Sequence, residues 1–269
     1  MKIATVGKGG SGKTTVAGTL ARILAEQGCK VLAIDGDPNP NLALTLGIDR
    51  ADAEHIRNIP PSVVESREES DGTRKLHMTL SHDELLDQYG AAAPGGIELI
   101  MMGKPAEGSA GSGCMCASHR AVRGLISEMS GYGEYTITDM EAGLEHLKRG
   151  TARNVDVMLM ITEPYFRSME AAARTFALAQ ELHIPHLYAV ANKVKGADDQ
   201  AALDEFFAKH GMTTIGTVPE EPQFNEAERK GLAPFDHAPR CPGSEAIRAI
   251  ASRLRDLGPT PDDQRARAI

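Results

Sequence analysis

No stretch of the 269-residue chain approaches the roughly 20 consecutive apolar residues that cross a bilayer, so a helical membrane protein is excluded. The opening residues, MKIATVGKGG, lack the charged-then-apolar pattern of a secretory signal and read straight into a strand. The expected location is therefore the cytoplasm. Basic side chains are not in excess either. The chain has 29 Lys and Arg against 37 Asp and Glu, a formal net charge of −8, which gives no broad electrostatic footprint for nucleic acid. Cysteine is scarce, with four in all. In a reducing compartment Cys29, Cys114, Cys116 and Cys241 are expected as thiols, not disulfides. There is no internal repeat and no low-complexity tract.

What remains is an ordinary globular composition, 41% hydrophobic and 25% charged, which argues against a disordered or fibrous chain. Lys2 to Val6 reads as a buried strand. A glycine-rich turn follows, then a helical pattern from Lys13 to about Gly28 with Val16, Leu20, Ile23 and Leu24 on one face. A second strand, Lys30 to Ile34, ends in the acidic turn DGDPNPN. Further strands are expected at Ile97 to Met102, Tyr135 to Asp139, Val155 to Thr162, Leu187 to Asn192 and Thr213 to Val218. Helices are expected at Arg167 to Leu182, Asp198 to Lys209 and Ser244 to Leu257. The strands show little polar alternation, which predicts an α/β fold, a doubly wound and mostly parallel sheet with helices on both faces. One domain is expected over residues 1–258, with an irregular insertion at about 49–96 and a frayed tail at 259–269.

Gly7 to Thr14, GKGGSGKT, fits the phosphate-loop pattern G-x-x-x-x-G-K-[ST], with a strand before it and a helix after it. Its glycines (Gly7, Gly9, Gly10 and Gly12) let backbone N–H groups turn toward phosphate oxygens, with Ser11 and Thr15 in the same run. The helix N-terminus adds partial positive charge. Lys13 is placed to reach the β- and γ-phosphates of ATP, and Thr14 to coordinate Mg²⁺. The second lysine, Lys8, is not required by that pattern. With it, KGGxGKT resembles the deviant Walker A loop of the MinD/ParA, arsenite-pump and nitrogenase-iron-protein superclass. The resemblance implies a nucleotide-dependent homodimer in which Lys8 reaches the partner's nucleotide. It also implies Asp37 as the residue that activates the attacking water and Asp35 as a support for Mg²⁺ through water. Asp139 would be the Walker B aspartate and Gly143 the glycine of switch II. Asn192 and Lys193, with Pro219 and Glu220 of VPEEPQF, fall where that superclass reads adenine. A plain strand-ending turn explains Asn192 equally well.

Cys114 and Cys116 lie in GSAGSGCMCASH, ahead of a helix expected near Ser118. Two thiolates under-coordinate a soft metal, whereas two copies on a two-fold axis supply four sulfurs, suited to Zn²⁺ or to Ni²⁺. Redox-active or unpaired thiols are the competing reading. The phosphate loop, IDGDPN, IELIMMGK, the Cys-x-Cys pair and GLEHLKRGT together resemble the CooC-type ATPases, across nearly the whole chain and least over Asp49 to Gly96. That resemblance implies a maturation factor that couples ATP hydrolysis to nickel insertion into a metalloenzyme such as carbon monoxide dehydrogenase, with Cys114 and Cys116 binding Ni²⁺ or Zn²⁺ across the dimer. His119 is either a further ligand or a helix-start histidine. Cys29 and Cys241 have no partner spacing and read as structural. Glu141, Glu145 and His146 lack an H-E-x-x-H spacing and read as switch II, and Met101, Met102, Met158 and Met160 read as core. The alternative is a MinD/ParA-type positioning ATPase whose ATP-driven dimer binds membrane, DNA or a partner protein. No basic amphipathic C-terminal helix and no basic surface support it, so neither membrane nor nucleic acid is expected as a partner.

Overall fold

A computed structural model describes residues 1–69, 72–102, 116–129, 132–144, 147 and 150–258, with residues 116–119 as backbone alone. Among the described residues ten strands form two sheets. They are β1 (Lys2–Gly7), β2 (Val31–Gly36), β3 (Val64–Glu68), β4 (Arg74–Met78), β5 (Ala91–Ala93), β6 (Ile97–Met101), β7 (Tyr135–Met140), β8 (Val157–Thr162), β9 (His186–Val194) and β10 (Thr213–Pro219). Eight of them make one sheet in the order β10-β9-β8-β1-β7-β2-β6-β5. Every pairing in it is parallel except β5 with β6. The expected doubly wound α/β architecture is present.

Strand β8, VMLMIT, shows why the strands lack polar alternation. All six of its residues are buried, and successive side chains enter opposite layers. Val157, Leu159 and Ile161 pack with the helices Lys13–Glu26 and Pro242–Asp256. Met158 and Met160 pack against the helix Phe166–Glu181 and, through Leu203 and Phe207, the helix Ala197–Lys209. The methionines are therefore core side chains, as expected. β1 divides in the same way, Ile3 to one layer and Ala4 and Val6 to the other.

The insertion is more ordered than its sequence suggested. It holds the short helix Arg50–Ala53, the antiparallel ribbon β3-β4, a helix His82–Tyr89 and the edge strand β5, and the short helix Leu42–Leu46 precedes it. Ser81 and Glu84 close a capping box at the start of His82–Tyr89: the Ser81 N–H donates to Glu84 Oε2 at 2.9 Å, and the Glu84 N–H to Ser81 Oγ at 3.3 Å. The ribbon rests on the helix Cys116–Glu128, where a Cβ at Gly124 would stand 2.6 Å from Val64 Cγ2. Among the described residues, no helix is long and apolar enough to cross a membrane.

Candidate functional site

β1 lies between β8 and β7, and the chain leaves its carboxyl end in a tight glycine turn. At Gly7, φ is +154° and a Cβ would lie 2.5 Å from the Ile161 carbonyl oxygen. At Gly12, φ is +92° and a Cβ would lie 2.5 Å from Asn192 Nδ2. Both positions require glycine. Three contacts fix the turn. The Ser11 N–H donates to the Lys8 carbonyl at 3.1 Å, Asn192 Nδ2 to the Ser11 carbonyl at 2.6 Å, and Lys193 Nζ to the Gly10 carbonyl at 2.5 Å. Lys13 opens the next helix, and its buried ammonium reaches the Lys8 carbonyl at 3.4 Å, while the Lys8 side chain is exposed. No side chain caps this helix, so its first N–H groups face the loop as anion donors. Gly9 lies against Ala142, just before Gly143, whose φ of +104° again calls for glycine.

Two carboxylates sit behind the loop. Asp35 and Asp139 are register partners across β2 and β7, both buried. Asp139 accepts from Thr5 Oγ1 at 2.9 Å and from Thr14 Oγ1 at 2.5 Å. Burial pushes its carboxyl up to about 6, against the Thr14 and Thr5 hydroxyls and the Lys13 charge, which hold it down. Burial, then repulsion by Asp139, pushes Asp35 up to about 7. Asp35 Oδ2 accepts from the N–H groups of Asn41 at 3.0 Å and Leu42 at 2.9 Å, and Oδ1 from that of Asp37 at 3.1 Å. Asp35 thus ties down both ends of the loop that carries the half-buried Asp37. Thr14, half-buried, and Asp139, buried, offer oxygen donors alone, side by side, a set that suits the hard cation Mg²⁺.

A cleft of about 520 Å³ opens beside the loop, within the range of small-molecule sites. Gly10, Gly12, Lys13, Thr14 and Thr15 line it together with Asn192, Lys193, Pro219 and Glu220, whereas Gly7, Lys8, Gly9, Ser11 and Gly143 are not among its lining residues. Phe224, Asn225, Asn41 and Thr45 are among the other residues of its walls. Glu221 holds the base-side loop: its carboxylate accepts from the Gln223 N–H at 3.1 Å and the Gly243 N–H at 3.3 Å, joining the starts of the helices Pro222–Lys230 and Pro242–Asp256.

Sequence reasoning missed Thr5, Glu163 and Glu221. A threonine inside a strand and a glutamate after one carry no local signal, because their partners lie far away in the chain. Asn192 turns out to grip the phosphate loop, more than a strand-ending turn requires. Cys241 is structural: its Sγ accepts from the Ser244 N–H at 3.4 Å and caps Pro242–Asp256. Cys29 is half-buried and free. Cys114, Glu145 and His146 lie outside the described residues, as do the side chains of Cys116 and His119. Among the described residues no group of three His, Cys, Asp or Glu is placed to hold a metal.

Residues 2–235 match the model of the CobQ/CobB/MinD/ParA nucleotide-binding domain. The carbon monoxide dehydrogenase accessory protein CooC of Rhodospirillum rubrum is 35% identical, over 97% of this chain and 98% of that one. An uncharacterised ATP-binding protein of Methanocaldococcus jannaschii is 37% identical, over 86% of this chain and 90% of that one. Among solved structures, the septum site-determining protein MinD of Pyrococcus horikoshii, complexed with Mg-ADP, superposes with a TM-score of 0.71 at 20% identity. That match covers 95% of this chain and 96% of that one and bears on the fold. The glycine turn, the Thr14–Asp139 pair and these likenesses agree: the chain belongs to the CobQ/CobB/MinD/ParA nucleotide-binding family and is an ATPase of the CooC type.

Proposed function

We propose that this ATPase serves the maturation of a metalloenzyme, loading nickel into a carbon monoxide dehydrogenase through an ATP-driven homodimer. The end-to-end similarity to CooC carries this reading. ATP enters the cleft with its phosphates against the glycine turn. Lys13 neutralises the γ-phosphate, and Asn192 with Pro219 and Glu220 borders the adenine. Thr14, Asp139 and Asp35 would hold Mg²⁺, which would supply charge neutralisation at the phosphates. Asp37, on the loop that Asp35 anchors, orients a water for in-line attack. Lys8 of a second copy adds positive charge at the transferring phosphoryl. The exposure of Lys8 supports that role, since its side chain is free to cross an interface.

Nickel or zinc is the cargo in this scheme, bound by Cys114 and Cys116 from both copies. Support comes from the chemistry of thiolates, four of which satisfy either ion. Titration of the purified, reduced protein with Ni²⁺ or Zn²⁺ tests it. About one ion per dimer is expected, lost in Cys114→Ser or Cys116→Ser while ATP binding is kept. Binding that survives both substitutions would sink the cargo site. ATP-dependent binding to liposomes or DNA would instead favour the positioning ATPase.

A further inference from the structure

Strand β9 does not end regularly. Its pairing with β10 shifts at Lys193: Asn192 faces Val218, the next pair is Val194 with Pro219, and Lys193 is left out of register. Lys193 also has φ of +56°, left-handed, one of two non-glycine residues with positive φ among the described residues. A lysine adopts that conformation at a cost, and such bulges re-aim a side chain at the rim of a sheet. The side chain is re-aimed here. Its ammonium donates to the Gly10 carbonyl at 2.5 Å and pairs with Glu163 Oε1 at 3.0 Å, at the end of β8.

We propose that Lys193 is a positioning residue of the phosphate loop: the bulge aims its ammonium so that it bridges the Gly10 carbonyl to the Glu163 carboxylate and holds the loop in shape before nucleotide arrives. A peptide unit is planar and trans, so fixing a carbonyl fixes the N–H across the same bond. Lys193 fixes the Gly10–Ser11 unit, whose N–H donates to the Lys8 carbonyl. Asn192 fixes the next unit through the Ser11 carbonyl and so turns the Gly12 N–H the opposite way. Two successive residues of β9 thus grip two successive peptides of the loop. With both in place, binding does not have to order the turn. Glu163 secures the grip through the lysine, whose charge it neutralises and whose ammonium it helps to orient. The inference needs only an ATPase and is independent of the metal cargo.

Four variants test it by mant-ADP affinity, steady-state kinetics and melting temperature. Lys193→Met keeps the length and loses the donor. It is expected to weaken mant-ADP binding and raise the KM for ATP about tenfold, the scale of one charge-assisted hydrogen bond, with kcat changed less than about threefold. Lys193→Arg should restore most of the affinity. Glu163→Gln should weaken binding in the same direction by a smaller factor. Lys193→Gly removes the strain together with the ammonium, so it should keep the melting temperature and lose affinity as Lys193→Met does. Unchanged affinity in Lys193→Met would overturn the proposal. So would unchanged affinity in Glu163→Gln beside a weak Lys193→Met, because Lys193 would then act by touching the nucleotide itself.

Discussion

At the scale of single residues, chemistry and stability pull against each other behind the phosphate loop. Asp35 and Asp139 are buried carboxyls whose affinity for protons is raised by folding, to about 7 and about 6. Between the ordinary carboxylate range and those values, the folded chain holds protons that the unfolded chain has released. The pair therefore stabilises the metal-free protein at low pH, and that contribution is lost as pH rises through about 6 to 7. In chelator, the melting temperature of the wild type should fall relative to Asp139→Asn between the acid and alkaline sides of that window. A parallel pH dependence in the two proteins would contradict the assignment. Gly12 gives a sharper expectation. Gly12→Ala sets a Cβ against Asn192 in a left-handed backbone, so nucleotide affinity should fall by a hundredfold or more, on the order of 3 kcal/mol, as measured by mant-ADP titration. Lys8→Ala should leave monomer ATP binding nearly intact and slow hydrolysis on the order of 10³-fold, the scale of a trans-acting cation. Equal turnover would refute the trans role.

At the scale of elements, the legible parts of the sequence were those that solve a local problem. The buried strands announced themselves because both faces are covered, so that KIATV, VLAI and VMLMIT contain almost no polar residue. The glycine turn was legible because only glycine fits at 7 and 12. The ribbon β3-β4 was not. VESRE shows four exposed residues out of five and is held by one apolar anchor, Val64, whose partner Gly124 lies 60 positions away (124 − 64). The contacts that shape the loop were hidden for the same reason: Lys193 and Asn192 act on residues 10 and 11 from the far side of the chain. The Gly124 contact is testable. Alanine in a helix interior should gain about 1 kcal/mol over glycine, yet its Cβ would stand 2.6 Å from a stiff valine. The clash should win, so Gly124→Ala should cost about 1–3 kcal/mol in urea unfolding, and Val64→Ala in the same chain should recover part of it. A stabilised Gly124→Ala would show that the ribbon yields.

At the scale of the whole molecule, nearly all the chemistry lies on one rim. β1, β2, β7, β9 and β10 each release a functional loop at their carboxyl ends, as open α/β sheets do. The same rim carries Tyr165 and Phe166, 55% and 70% exposed, two and three residues after the Glu163 that pairs with Lys193. Two adjacent exposed aromatics suit an interface. If the proposed ATP-driven homodimer uses this face, Phe166→Ser should reduce dimer formation with Mg-ATP in sedimentation, without changing monomer affinity for mant-ADP. A dimer of undiminished strength would remove this segment from the contact.

The edge strand β5 has a consequence for association. It is three residues long and runs against its neighbour, and the turn from it into β6 contains Pro94, Gly95 and Gly96. A parallel sheet whose last strand is short and reversed offers a poor template for a further strand at that end. Copies of this chain are thereby discouraged from joining sheet to sheet at that edge into open-ended stacks. The homodimer proposed above would therefore use another face of the molecule.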